Sequence, residues 1–328
     1  MRVILAIIAA AAIGWSVWWW AIASAKERAL AAWLDERRAA GWGAEAEAID
    51  VGGFPYRIDT TIRGLELANP AAGWSWTAPE FQFTNLAYQP NHLIAIWPPA
   101  QGFATPLGAA EISSRTMRGS LVVEPNLRLA LRRATIELGD VRVAGPGWEI
   151  GLGSAILATR QAEGEAAAPF AHEIGFDAQG VALPEAWTRL DRAGVLAPVI
   201  ETVAFDAVAT FDRPWDRPAI EGEPPQLEAL VIRDMSFAWG SLDLRGRGEL
   251  RADARGFAEG RLDLRARRWR EMIDLAERSG AAPAGVASAL RGGLGLIARL
   301  GGDRNAIDVP LDFSGGRAFL GPVPIGPA

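Results

Sequence analysis

Tyr56-Arg57-Ile58-Asp59-Thr60-Thr61-Ile62-Arg63 is the stretch that decides the fold. Its even positions carry Tyr, Ile, Thr and Ile; its odd positions carry Arg, Asp, Thr and Arg. Successive strand side chains point to opposite faces of a sheet, so this alternation marks a strand with one buried and one wet face. The same period recurs along the chain. Phe81 and Phe83 alternate with Gln82 and Thr84, and Leu127, Leu129 and Leu131 with Arg128, Ala130 and Arg132. Val141 and Val143 alternate with Asp140 and Arg142, while Val203, Phe205, Ala207, Ala209 and Phe211 share a face. Leu242 and Leu244, then Leu262 and Leu264, alternate with Asp and Arg. Gly, Pro and Asn punctuate these segments at short intervals, which predicts antiparallel hairpins. No regular alternation of strand and helix appears, which argues against a doubly wound fold.

Helical periodicity is confined to a few places. Trp269, Met272, Ile273 and Ala276 fall at i, i+3, i+4 and i+7. Beyond Pro283, Val286, Leu290, Leu294 and Ile297 continue at helical spacing, with Gly280 and Pro283 breaking the pair. This predicts a helical hairpin packed on the sheet. A short helix is expected over 185–192. The stretches 161–169 and 213–225 read as loops, and the second as a point of subdivision.

Residues 3–25 contain no charged side chain, a run of 23 positions. About 20 apolar residues span a bilayer core. Trp15 and Trp18-Trp19-Trp20 lie in its second half, and indole favours the membrane interface. The competing reading is a cleaved signal peptide, since Ala23-Ser24-Ala25 forms an A-x-A pattern. The length of the run and the bulky Trp residues beside that site favour a retained signal-anchor. Leu30, Trp33 and Leu34 extend the helix toward Gly41 and Gly43, which stop it. The expected organisation is a spanning segment at 1–25, a membrane-proximal helix at 26–43 and a β-rich domain at 44–328. Lys26, Arg28, Arg37 and Arg38 follow the run, partly offset by Glu27, Asp35 and Glu36, and only Arg2 precedes it. A simple positive-inside count puts the domain in the cytoplasm. Long domains translocate largely regardless of charge, so the domain is expected on the outer side.

Composition narrows the function classes. The 328 residues are half hydrophobic and carry a net charge of −6, with a pI near 5.2. That composition belongs to a folded chain, and without a basic tract nucleic acid is not an expected partner. No Cys is present, which excludes disulfides, thiolate catalysis and Cys-ligated zinc. His92 and His172 stand far apart with no ligand spacing around them, and no nucleophile elbow or phosphate loop is found. Gly293-Leu294-Gly295-Leu296-Ile297-Ala298 fits a loose dinucleotide pattern, but helix-like sequence precedes it where a strand is required. Asp212 and Asp216, in the turn Asp212-Arg213-Pro214-Trp215-Asp216-Arg217-Pro218, could bind a cation or serve as acid and base. A rigid turn in which Arg and Asp pair and Trp215 packs down is the favoured reading, since no third ligand is in sight. Tyr88, Trp97, Phe211 and Trp215 are the candidate ligand-facing or structural aromatics.

Several of these motifs, in this order, carry a family resemblance. They are Gly53-Phe54-Pro55-Tyr56-Arg57, the stretch 88–99, Ala104-Thr105-Pro106-Leu107-Gly108, the turn at 211–218, and the ending Val309-Pro310-Leu311-Asp312-Phe313 through Gly321-Pro322-Val323-Pro324-Ile325-Gly326. Along nearly its whole length the chain resembles the bacterial family called domain of unknown function 2125, and more distantly the AsmA-like envelope proteins. The first resemblance carries over no established activity or catalytic residues. The second implies a single N-terminal anchor and a part in outer-membrane lipid homeostasis, by analogy of fold.

The reading is therefore a mainly β, α+β protein: an N-terminal transmembrane helix followed by a long curved antiparallel sheet with a few packed helices. It is expected to be single-pass in the bacterial inner membrane, with its large domain in the periplasm. The expected role is binding or scaffolding without catalysis, metal or cofactor. Its partners are membrane lipid, held in an apolar groove, and other envelope proteins. The alternatives are an envelope hydrolase using carboxylates such as Asp212 and Asp216, and a structural partner of a membrane complex.

Overall fold

A computed structural model describes residues 1–164, 168–184, 197–300 and 305–327. Antiparallel strands dominate it, as the period-2 segments require. The chain divides into two compact units. The division runs through residues 130–147 and not through 213–225, which lies inside the second unit. The helix expected at 185–192 lies outside the described residues.

The first unit opens with α1 (Arg2–Ala39), one unbroken helix that passes the expected boundary at 25/26. It is long and apolar enough to cross a membrane. Gly41, at φ +84°, supplies the left-handed residue that ends it. The strands that follow are β1 (Gly43–Glu45), β2 (Ala48–Gly52), β3 (Arg57–Asn69), β4 (Trp74–Leu86), β5 (Gln89–Ile96), β6 (Ala100–Thr105), β7 (Gly108–Ser113) and β8 (Thr116–Val123). The last residues of β9 (Leu131–Gly145) complete the unit. β3 pairs with β1 and β2 on one side and with β4 on the other. β4 then pairs with β5 and with β6, β5 with β8, and β6 with β7.

Ile58, Thr60 and Ile62 are buried on β3, as their alternation requires, whereas Tyr56 lies in the turn before it and is exposed. The face they form is covered by α1. Trp19 and Ala23 pack against Ile58 and Ala87, and Leu34 packs against Ala44, Ile62 and Leu65. Positions 19, 23, 26, 30 and 34 form one helical stripe. Its member Lys26 donates from Nζ to Asn85 Oδ1 at 2.7 Å and lies over the Phe83 ring at 4.6 Å.

The alternation at Leu127, Leu129 and Leu131 does not make a strand before Leu131. Asn126 Oδ1 accepts the backbone N–H groups of Arg128 and Leu129 at 2.9 and 3.1 Å, and Leu129 sits at φ +52°. A side chain that bonds its own following backbone replaces the ladder with a turn.

The second unit contains β10 (Trp148–Gln161), β11 (Ala171–Ala182), β12 (Val199–Phe211), α2 (Arg217–Glu221), β13 (Leu227–Trp239), β14 (Leu242–Ala252) and β15 (Ala258–Arg267). The helical hairpin α3 (Trp269–Arg278) and α4 (Ala284–Leu300) follows, then β16 (Ala306–Ser314), β17 (Arg317–Leu320) and β18 (Val323–Pro327). Each strand from β10 to β18 pairs antiparallel with the next. The hairpin forms as the sequence spacing requires. It packs Trp269, Ile273, Leu290 and Leu294 on Ala266, Ile307, Val309 and Val323.

Candidate functional site

The registers of the second unit align residues that no single strand reveals. Reading across seven strands from β10 to β16, one row is Leu157, Phe176, Phe205, Met235, Gly246, Leu264 and Val309. The next is Thr159, Ile174, Ala207, Ile232, Gly248, Leu262 and Leu311. Side chains on one face of a sheet lie within contact distance across strands, so these rows form one apolar surface.

The opposite face is charged. Glu173 there pairs with Arg160 and Arg233, Arg261 with Asp263, and Arg265 with Asp308. Exposed pairs of this kind add little stability but keep that face in water.

One bulge, in β13, keeps the faces distinct. The β12–β13 register shifts at Asp206/Ala207 and the β13–β14 register between Ile232 and Met235. Arg233 and Asp234 are accommodated together opposite Arg247, so Ile232 and Met235 both stay on the apolar side. Bulges also bend a strand and increase its twist. Gly248 marks a close approach in the same place: at φ +156°, a Cβ there would meet the Arg261 carbonyl oxygen at 2.1 Å.

The hairpin α3–α4 covers only part of the apolar surface. It packs on Leu244, Leu264, Ala266, Ile307 and Val309, and Met272 and Leu275 reach Ile200, Trp239 and Leu242. A second cluster is built from strands alone among the described residues. Ala207, Ile232 and Leu262 are its buried centre, and Phe205, Leu230, Met235, Leu250, Leu311 and Phe313 surround it, half-buried. Ala207 is 0 % exposed without any described helix over it.

Two of the sequence-predicted aromatics belong at one end of this surface. Phe211 and Trp215 meet edge-to-face at 5.6 Å, and Phe211 meets His172 at 6.3 Å. His172 is buried, faces Thr159 Oγ1 at 3.4 Å, and has its pKa lowered by burial, which favours the neutral ring. Tyr88 and Trp97 lie in the first unit: Trp97 packs on Phe81 at 5.4 Å and Tyr88 is an exposed turn residue. His92, also in the first unit, has Nε2 2.9 Å from Ser120 Oγ.

The paired carboxylates are engaged in the turn itself. Asp216 is buried and caps α2, accepting the Ala219 N–H at 3.2 Å. Asp212 accepts from Arg213 and from the Gln226 N–H, and the Arg213 bond above all holds its carboxyl below the usual range. Among the described residues, no group of three or more His, Asp or Glu is arranged to hold a metal ion.

The glycine pattern at 293–298 lies inside α4 and forms no phosphate-cradling turn. A Cβ on Gly293 would meet Val323 Cγ2 at 3.0 Å, so this glycine lets the helix approach the strand closely.

No curated protein and no solved structure matches the chain. The more distant likeness to AsmA-like proteins therefore gains no support from these comparisons. A family model described as an uncharacterized protein conserved in bacteria (DUF2125) matches residues 19–328. That match runs over nearly the whole chain, and the protein belongs to this bacterial family.

Proposed function

We propose that this protein is a single-pass, membrane-anchored envelope protein whose second unit holds lipid acyl chains on its apolar sheet face. The proposed setting is the inner membrane with the large domain in the periplasm, and the proposed role is binding or scaffolding without catalysis. The observation that carries this reading is the apolar surface shared by seven strands, of which the hairpin α3–α4 covers only one part. Soluble monomers rarely leave large contiguous apolar patches to water. An acyl chain satisfies such a surface without a specific polar partner. The apolar helix α1 supports placement beside a membrane, the source of such chains.

The hydrolase alternative draws on Asp212 and Asp216, and both are occupied in shaping the turn. The partner-complex alternative covers the same surface with protein. The test is native mass spectrometry of the chain from Trp15 onward, purified without detergent. This length keeps the whole packed stripe of α1. Stoichiometric phospholipid supports the proposal; a lipid-free monomer overturns it.

A further inference from the structure

Residues of α1 from Trp15 onward are tied to the first unit's sheet. Trp15 Nε1 donates to the Pro55 carbonyl at 2.9 Å, and Trp19 Nε1 to the Arg57 carbonyl at 2.8 Å. The stretch that stands clear of these bonds is residues 2–14, which at helical rise is about 20 Å long. A bilayer's hydrocarbon core is about 30 Å thick. If α1 crosses that core, the remaining third must be reached by residues beyond Trp15. The sheet end bonded to those residues then enters the membrane surface with them.

That end of the sheet is built for such contact. The β2–β3 turn presents Phe54, 53 % exposed, and Tyr56, 68 % exposed. The β4–β5 turn presents Tyr88, 63 % exposed, beside Ala87, which packs in the same cluster as Trp19. The turn after β8 starts next to it, since Asn91 Nδ2 donates to the Val123 carbonyl at 2.9 Å, and it presents Leu127, 92 % exposed. Trp20 of α1 is itself 68 % exposed. Aromatic rings with a polar edge favour the depth where hydrocarbon meets headgroups. Phe54 packs edge-to-face on Trp19 at 5.5 Å, and Tyr56, Tyr88 and Leu127 project from the same end of the sheet into solvent.

We infer that Phe54, Tyr56, Tyr88 and Leu127 form a collar that seats this end of the sheet in the bilayer interface around α1. The inference rests on the proposed membrane anchor and adds a second, peripheral attachment to it. The first unit is then held at a fixed height and tilt, with this end of its sheet at the membrane and not suspended on a free stalk. The occupant is a lipid interface, since the helix emerging among these tips is itself apolar and uncharged over residues 3–25.

The chain has no Cys, so single labelling sites are simple to introduce. Full-length Phe54→Cys, Tyr56→Cys, Tyr88→Cys and Leu127→Cys would each carry a nitroxide in phosphatidylethanolamine–phosphatidylglycerol vesicles. Electron paramagnetic resonance power saturation would compare access to oxygen with access to a water-soluble nickel chelate. Leu107→Cys, beside the β3–β4 turn at the other end of the sheet, is the wet reference; Leu107 is 100 % exposed. Ile8→Cys reports on the helix. The expected result is at least a fivefold lower nickel accessibility at the four collar sites than at position 107. Nickel accessibility at the collar equal to that at 107, with position 8 shielded, overturns the collar and leaves the anchor standing. A water-exposed position 8 overturns the anchor reading and the collar with it.

Discussion

Replacing Trp269 by Ala tests whether the hairpin α3–α4 is fastened to the sheet as described. Trp269 is 2 % exposed and sits among Ile273, Leu290, Leu294, Ile307 and Val309. A buried indole removes about 150–250 Å² from water, worth about 4–6 kcal/mol at about 25 cal/mol per Å². Residual burial in the unfolded chain lowers that by roughly a quarter. The expected loss is then about 4 kcal/mol, inside the usual range for Trp→Ala in a core. With a urea dependence of about 2.5 kcal/mol per molar, the unfolding midpoint of the second unit falls by about 1.5 M. The assay is far-ultraviolet circular dichroism across a urea series, on the chain from Trp15 onward. Leu107→Ala, fully exposed in the first unit, should leave the midpoint in place. A drop for Trp269→Ala below about 0.4 M, or about 1 kcal/mol, would refute the packing described for the hairpin.

Three further outcomes follow from local geometry. Lys26 is the only lysine, so ¹³C-lysine labelling gives one Cε resonance. Burial lowers its pKa to about 8 against the opposing pull of Asp59, so the resonance should titrate near there in the folded protein and near 10.5 once unfolded. Because the folded value is the lower one, the penalty for the ammonium is complete below about 8, and Lys26's contribution to stability rises from pH 8 to 10.5. A folded-state midpoint near 10.5 would place Lys26 in water and not over Phe83. Asp216→Ala should cost about 1 kcal/mol through loss of the α2 cap, while Asp216→Asn, which keeps the acceptor, should cost much less; equal losses in urea titration would remove the capping role. Gly248→Ala should reduce stability by more than about 2 kcal/mol, since it strains a positive φ and crowds a neighbouring strand. An unchanged midpoint would show that β14 and β15 are farther apart at that point.

Much of the fold was legible because period 2 and period 3.6 are local. Ile58, Thr60 and Ile62 alternate in the sequence and are buried together, and Trp269, Met272 and Ile273 mark their helix directly. Two features were hidden for physical reasons. Trp19 and Ala23 are apolar whether they face lipid or a sheet, so the packing of α1 from Trp15 onward could not be read from hydropathy. The apolar surface of the second unit exists only in the register between strands. At Arg233-Asp234 a bulge interrupts the alternation, so β13 taken alone does not reveal that Ile232 and Met235 share a face. Phe211 and Trp215 were identifiable from an aromatic turn with Pro beside it. Leu230 and Phe313, farther along the same surface, carry no signal of their own.

The central claim is that lipid occupies the apolar face of the second unit, and in-cell photocrosslinking tests it most directly. A benzophenone amino acid would replace Leu230 or Phe313 on that face, and Arg247 on the charged face, in the full-length chain. After irradiation of living cells, purified protein would be analysed by mass spectrometry. The expected result is a phospholipid adduct at positions 230 and 313 and none at 247. Adducts at 247 alone, or none at 230 and 313 while both variants accumulate as folded protein, would contradict it.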